Sequence, residues 1–467
     1  MKFKILIVSF LFLCVFGQKM NANGLHIEFK APQLKGKQIV LCNYFEGSNY
    51  RLDSCYISSS GLGVIQQSQS LPEGLYLVYA SPTSHFDLLL ADDQKFTITI
   101  DTVNFLNNKI QGASQSEAFI EYARFLSNQQ KERTRLFESL QQFQSENKNT
   151  ESIEKQLADQ NAKVFDFQQS FFDKHKNEWV GNFFKGVIPV ENPFPEPQNS
   201  EERQLQVQYM KEYYFDHINL QDRRFWYSSV FPQKIVSYMQ QCVEFIPDSL
   251  ANAASRLVQK TRGDSVCFRL TLNFLTNNSL QSNILGMENI WAKLAEDYYL
   301  KKDVTPWADS AFLADIRSEY TKVRFNRVGM NAQNILLTDT AGNSAPLYNA
   351  SSKYTLLCFF EPSCAHCKEL MPQIHDMLYQ KYHNKGLEIS CVYMLTDKTE
   401  WMNFIRENRL EDWTNLWDPS RESFFWHYYD TSTTPAIFLL DENKKIIAKK
   451  LDIESLDKML ERLTNSL

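Results

Sequence analysis

Four residues, Cys364-Ala365-His366-Cys367, have the types and the spacing to do chemistry. Cysteines three apart lie on one face of a first helical turn, so their sulfurs can meet without distortion of the backbone. The pair follows a β-prone run, YTLLCFF at 354–360, and opens an amphipathic stretch whose apolar positions include Leu370, Ile374, Met377 and Leu378. At the start of such a helix, unpaired backbone N–H groups and the positive end of the dipole favour thiolate over thiol. Cys364 is therefore the expected nucleophile. Its thiolate attacks a disulfide, a mixed disulfide forms, and Cys367 then attacks Cys364, releasing a reduced product and leaving the pair oxidised. Run backwards, the same steps oxidise. His366 is expected to tune the pair, since a partly protonated imidazole beside the thiolate stabilises it and makes the disulfide more oxidising.

Other uses of a CxxC pair fit less well. A structural zinc site wants a second cysteine or histidine pair at short spacing, and the remaining cysteines are scattered. Covalent haem attachment needs a histidine straight after the second cysteine, where Lys368 stands. No metal and no organic cofactor is expected. A second landmark is Thr433-Thr434-Pro435, just before the strand-like AIFLLD at 436–441. A proline opening a strand forfeits a ladder hydrogen bond and is tolerated there chiefly where the chain turns sharply, often through a cis bond.

The elements that must hold these residues fall into three stretches. Residues 23–112 contain short β-prone runs (LHIEFKA, QIVLCNYF, RLDSCYIS, LYLVYA, FTITI) separated by turns such as Glu46-Gly47-Ser48-Asn49 and Pro72-Glu73-Gly74, which predicts a small antiparallel β-sandwich. Cys42 and Cys55 are a hairpin's length apart, so pairing and two free thiols both stay open. Residues 113–323 switch to helical periodicity, with Phe119, Tyr122, Ala123 and Leu126 on one face and Leu136, Leu140 and Phe143 on another. Asn192 to Glu202, with Pro193, Pro195 and Pro197, breaks that region as an exposed connection. The segment DRRFWY at 222–227 reads as a packing contact rather than a site. Residues 324–467 alternate strands and helices: YTLLCFF, a helix from Cys364 to about Tyr382, LEISCVYML, a helix at Trp401 to Glu407, AIFLLD, KIIAKKL and a last helix at Ile453 to Leu463. This pattern predicts a mainly parallel sheet covered on both faces, with Asp441 to Lys444 turning a terminal hairpin. The fold class expected is thus multidomain: a β-sandwich, an all-α region and a C-terminal α/β domain.

With 467 residues the chain is too long for one core. Its net charge of −6 and lack of a basic run remove the electrostatic footprint that nucleic acid or an anionic membrane surface would need. Residues 1–22 read as a secretory signal, with Lys2 and Lys4 ahead of an apolar stretch from Ile5 to Gly17 that is too short for a typical span; cleavage after Ala22 is one outcome and an uncleaved anchor the other. Cys14 would be lost with the signal. The signal makes export to the periplasm or cell envelope the expectation, and since no later segment is long and apolar enough to cross a bilayer, the mature protein is expected to be soluble or held by one end.

The CxxC at a helix start and the Thr434-Pro435 step together resemble the thioredoxin superfamily. Within it the domain is similar to the periplasmic thiol-disulfide oxidoreductases of the TlpA and ResA type. Gly329 to Asp339 followed by Ala341-Gly342 resembles their leading hairpin, and Pro372 matches a proline that kinks their first helix. The resemblance, over about residues 324–467, implies a Gram-negative exported protein whose Pro435 is cis and lies against Cys364. It further implies that the backbone of Thr434 bonds an incoming substrate chain as an added strand. Partners are then protein thiols or disulfides and an unidentified protein that recycles the CxxC. The preceding regions resemble, more weakly, two uncharacterised domain families found with such modules, and that resemblance implies no activity for them. CAHC departs from the CEPC type and is more like the oxidant DsbA. The position of a carboxylate that some relatives carry after the motif is Leu370, with Glu369 beside it, and the buried acid of many thioredoxins falls at Cys358. No proton-shuttling carboxylate is identifiable, and Cys358 and Cys391 read as buried core thiols. A reductase is the favoured reading, an oxidase or isomerase the alternative, and a non-catalytic envelope scaffold the competing class. A peroxiredoxin fits poorly, because Glu361 stands where its Thr or Ser would be.

Overall fold

The computed structural model describes residues 24–45, 48–349 and 352–465. The expected signal at 1–22 and two residues of the first turn, Glu46 and Gly47, lie outside the described residues. The chain divides into two compact units, Met1–Ile235 and Val236–Leu467, which share the helical residues between them.

In the first unit the β-prone runs form β1 (His26–Lys30), β2 (Gln38–Phe45), β3 (Ser48–Tyr56), β4 (Leu62–Gln66), β5 (Gly74–Ser81), β6 (Ser84–Leu90), β7 (Lys95–Thr99) and β8 (Lys109–Gln111). They assemble as two four-stranded sheets, ordered β4-β1-β7-β8 and β3-β2-β5-β6. Pairing is antiparallel except between β1 and β7, which run parallel. Alternation explains the faces: Ile27, Phe29, Ile39, Leu41, Phe96 and Ile98 are fully or almost fully buried. Cys42 and Cys55 are free thiols; the register sets Cys55 opposite Ile39 and Cys42 opposite Arg51.

Helices α1 (Ser114–Ser145), α2 (Glu151–Lys174), α3 (Trp179–Val187), α4 (Ser200–Tyr213) and α5 (Val230–Gln241) follow, the last crossing the division between units. Phe119 and Tyr122 of α1 are buried and stack on Phe184 of α3, with ring centroids 5.1 and 3.8 Å apart, while Leu126 and Phe143 stay half-buried. The proline-rich connection ends at Asn199, earlier than its composition suggests, because Asn199 caps α4 by accepting from the Glu202 N–H. The DRRFWY segment makes a contact inside this unit: Arg224 pairs with Asp222 and Glu73 and lies 4.8 Å over the Trp179 ring, and Phe225 and Trp226 are buried.

The second unit opens with α6 (Pro247–Lys260), α7 (Ser265–Leu280), α8 (Glu288–Leu294) and α9 (Ser310–Val323). It continues with β9 (Leu336–Asp339), β10 (Ser344–Pro346), β11 (Tyr354–Phe360), β12 (Leu387–Tyr393), β13 (Thr414–Trp417), β14 (Ala436–Asp441) and β15 (Ile446–Lys449), which form one sheet ordered β10-β9-β13-β12-β11-β14-β15. The sheet is mixed, which corrects the expectation of a mainly parallel one. Only β11–β12 and β12–β13 are parallel, and both edges are antiparallel because hairpins build them. β11 is buried along its whole length. Its alternate residues Leu356, Cys358 and Phe360 enter one core with Met371, Ile374, Trp401, Phe404, Leu456 and Leu460. Leu357 and Phe359 enter the opposite core with Leu337, Phe425, Tyr429 and Phe438. The first core is roofed by α10 (Ala365–Gln373), its π-helical continuation Ile374–Tyr379, α11 (Gln380–Tyr382), α12 (Lys398–Glu407) and, after the short α13 (Phe425–Tyr428) on the other face, α14 (Ile453–Asn465). Pro372 lies inside α10, two residues before the π-helical stretch. A proline cannot donate the helical N–H, and the ladder is re-spaced just beyond it.

Candidate active site

β11 ends at Phe360, and Glu361 to Cys364 form a tight turn in which the Cys364 N–H donates to the Glu361 carbonyl at 3.2 Å. Pro362 occupies the second turn position, where its fixed φ is already suitable. The turn delivers Cys364 to the N-cap of α10, with an extended backbone (φ −76°, ψ 122°), and its carbonyl accepts the first helical bond from Lys368. An N-cap side chain projects toward the free N–H groups of the next two or three residues. Cys364 is half-exposed, whereas Cys367, one turn on and facing the core, is wholly buried.

The Thr434–Pro435 peptide bond is cis. It brings the Thr434 carbonyl to the first sulfur: Cys364 Sγ donates to it at 3.3 Å. The structure thus gathers Cys364, Cys367, Thr434 and Pro435 from two places 70 residues apart in the chain. His366 sits on the exposed side of the same turn, and its backbone N–H is the part of it that favours the Cys364 anion.

The two sulfurs are driven apart electrostatically. Burial pushes the Cys364 thiol up, but the Thr434 side chain, the backbone and thiol of Cys367 and the backbone of His366 outweigh it, and its pKa falls below the ordinary thiol value. Burial dominates at Cys367, and the neighbouring Cys364 adds to it. The pull of the Glu361 backbone and the Thr434 side chain does not compensate, and the thiol is pushed up to about 12. The helix start thus sets a half-exposed sulfur with a lowered pKa beside a buried sulfur with a raised one.

Two neighbour relations escaped sequence reasoning, which reads Cys358 and Cys391 as buried core thiols but not as a facing pair. Glu361 reaches the site: Thr434 Oγ1 donates to Glu361 Oε1 at 3.0 Å. The only signal was an acidic residue in the turn between strand and motif. Beneath the site, Cys358 and Cys391 face each other across β11 and β12, both fully buried. Burial first, then the Cys358 and Cys367 neighbours, hold the Cys391 thiol well above its ordinary pKa. Among the described residues, no group of three His, Cys, Asp or Glu side chains is arranged to hold a metal ion, and no helix is long and apolar enough to cross a membrane.

A cis Thr-Pro step against a CxxC at the head of a helix on a mixed seven-stranded sheet defines a thioredoxin-like domain, and a thioredoxin-like family model matches residues 352–446. The curated protein "Thiol-disulfide oxidoreductase ResA" of Bacillus cereus is 27% identical over 143 residues, which is 30% of this chain and 79% of that protein. Its namesake from Bacillus thuringiensis subsp. konkukian is 28% identical over 150 residues, 31% of this chain and 83% of that one. Among solved structures, a domain titled as that of a "possible thiol-disulfide isomerase" from Cytophaga hutchinsonii is 34% identical, covering 30% of this chain and 94% of that one, with a TM-score of 0.28. Over its C-terminal domain the chain matches the thioredoxin-like family model and is similar to thiol-disulfide oxidoreductases.

Proposed function

We propose that the chain reduces disulfides in exported proteins through Cys364 and Cys367. Cys364 attacks, Cys367 resolves, and the backbone of Thr434 beside Pro435 holds the substrate strand. A partner dithiol then returns the oxidised pair to its reduced form. The reading includes export, with residues 1–22 as signal, to the periplasm or envelope of a Gram-negative bacterium. It needs neither metal nor organic cofactor.

The observation that carries the proposal is the capping position of Cys364, with its sulfur against the Thr434 carbonyl and its pKa lowered while that of Cys367 is raised. The lowered pKa also favours the oxidase alternative, since a stabilised thiolate makes the disulfide the stronger oxidant. The test is insulin reduction with a recycling thiol, set beside oxidation of a reduced unfolded protein. Faster insulin reduction, lost in Cys364→Ser, supports the reductase. Activity in the second assay alone supports the oxidase, and activity in neither assay supports the scaffold. A Cys367→Ala variant strands mixed disulfides on Cys364, so that mass spectrometry of the trapped adducts names the substrates.

A further inference from the structure

Away from the thiols, the helical part of the second unit carries a cleft of about 360 Å³. One wall holds Arg256 of α6 and Arg262 of the turn after it. The other holds Lys293 of α8, Asp297 of its π-helical continuation Ala295–Tyr299, and Lys301 just beyond. Asp297 is the one acid among the described residues that line the cleft, so four cations meet one carboxylate. That is an excess of three positive charges in a chain whose net charge is −6. Like charges gathered around one cavity repel each other and focus a positive potential into it, and a bound anion relieves both.

The acid is already committed. Ser255 Oγ donates to Asp297 at 2.6 Å, and Lys293 Nζ and Lys301 Nζ lie 2.9 and 3.8 Å from its carboxylate. Burial works against the Asp297 anion, but Ser255 and the two lysines outweigh it and hold its pKa below the usual carboxylate value. Each ammonium has three donors, so both lysines keep N–H groups beyond this pairing. The arginines lean on uncharged groups instead. Arg256 hydrogen-bonds Tyr238. Arg262 lies 5.3 Å over the Phe268 ring with one N–H 3.5 Å from Gln259 Oε1. A guanidinium laid on a ring by its face keeps its edge for a bidentate bond to a carboxylate or phosphate. The walls are also tied to each other, since the Tyr298 hydroxyl donates to the Ser255 carbonyl at 2.8 Å. Neutralising Asp297 takes one lysine, and the favourable end of the α6 dipole asks for no cavity. Neither accounts for four cations around one space.

We propose that this cleft binds a small polyanion, a phosphorylated or polycarboxylated molecule with more than one negative charge. Its acidic groups sit on the forks of Arg256 and Arg262 and on the ammonium groups of Lys293 and Lys301. The volume suits a small molecule rather than a polymer. The site is separate from the CxxC chemistry, so Cys364→Ser binds the anion as the parent does.

The test is titration calorimetry of the full-length protein at low salt with pyrophosphate, citrate and acetate. One pyrophosphate or citrate per chain should bind with a Kd below about 1 mM, and acetate far more weakly. Preference for pyrophosphate assigns a phosphorylated ligand and preference for citrate a carboxylated one. Arg262→Gln should weaken binding about tenfold, the size of a lost charge-assisted hydrogen bond. Lys260→Gln, an exposed lysine of α6 that does not line the cleft, should leave it within about twofold. Melting temperature without anion is read on the same samples. If Arg262→Gln fails to fold, Lys301→Gln, exposed at the rim, takes its place with a loss of about threefold or more. Absence of binding by both polyanions overturns the proposal. So does equal weakening by Lys260→Gln, which marks diffuse attraction, and so does an Arg262→Gln protein that melts lower yet binds as tightly, which marks a structural cluster.

Discussion

The first turn of α10 and the strand pair beneath it hold the same functional group in opposite conditions. Cys364 caps a helix, half-exposed, with backbone N–H groups and the Thr434 side chain lowering its pKa. Cys358 and Cys391 face each other across β11 and β12 at 0% exposure, and nothing in their surroundings offsets the burial that raises Cys391. Cys367 stands between them, on the helix but turned into the core. A thiol becomes a nucleophile where a helix end and a solvent face coincide, and stays a small apolar filler where a sheet covers it.

The largest effect expected from that contrast is on turnover. Cys364→Ser should lower insulin reduction by about a thousandfold or more, since among the described residues the other half-exposed thiol, Cys55, is pushed up to about 11 and is no ready nucleophile. Cys358→Ala should leave the rate within about threefold. Comparable losses in the two variants would erase the distinction between helix sulfur and sheet sulfur.

Next comes the pH response. Iodoacetamide labelling of the reduced protein should half-saturate at Cys364 below the ordinary thiol pKa of about 8.5, with Cys358 and Cys391 unlabelled until the protein unfolds. Stability should follow with opposite signs. The Cys364 pKa is lower folded than unfolded, so its contribution is complete above the unfolded value and disappears as pH falls through the folded one. The Cys391 pKa is higher folded than unfolded, so its contribution is complete below about pH 8.5 and is lost as pH rises beyond it. Melting temperatures of the reduced protein should therefore decline from about pH 8.5 upward, and Cys391→Ala should flatten the decline. A decline of equal slope in that variant would remove Cys391 as its cause.

How much of this could be read beforehand depended on range. β11 coincides with YTLLCFF because a strand buried on both faces is a continuous apolar run that ends at turn residues. The CxxC declared its own position, since its geometry needs only one helical turn. β13 went unseen: TNLW is only four residues, two β-formers around an Asn and a Leu, and it is a strand because β12 and β9 flank it. The mixed sheet was missed for a related reason, as strand direction at the edges is set by hairpin connections rather than by the strands' own residues. Glu361 was visible as a letter but not as a neighbour of Thr434, because that hydrogen bond spans 73 positions. His366 drew attention by chemistry, yet its exposed ring leaves the electrostatics to its backbone.

A smaller stability effect sharpens the account of the sheet sulfurs. A Cys391→Ser change places a hydroxyl in an apolar core shared with Ile389, Tyr393 and Leu410. Its lost burial and unmet hydrogen bond should cost about 1 to 3 kcal/mol, measured by urea unfolding of the reduced protein. Cys391→Ala removes the polar group as well as the sulfur, and should cost no more than the serine. A serine variant as stable as the parent would mean that the pocket is wetter than its burial implies.

The smallest effect belongs to the first unit, where a third pair of thiols tests whether proximity in sequence is enough. Cys42 lies opposite Arg51, and Cys55 opposite Ile39, so the two are out of register by three positions along β2 and four along β3. At about 3.4 Å per residue that offset is about 10 Å or more along the strands, beyond the roughly 4.4 to 6.8 Å between Cα atoms that a disulfide tolerates. Burial raises both thiols, and Asp53 helps push Cys55 up to about 11, so neither is a ready thiolate at neutral pH. Treatment of the full-length protein with excess oxidised glutathione, followed by peptide mapping without reductant, should find Cys364 joined to Cys367 and no peptide joining Cys42 to Cys55. Cys55→Ser should change unfolding free energy by less than about 1 kcal/mol, because the residue is half-exposed and bonded to nothing it would lose. A Cys42–Cys55 crosslink formed without unfolding would mean that the β2–β3 register slips in solution, at the irregularity between Leu41 and Cys42.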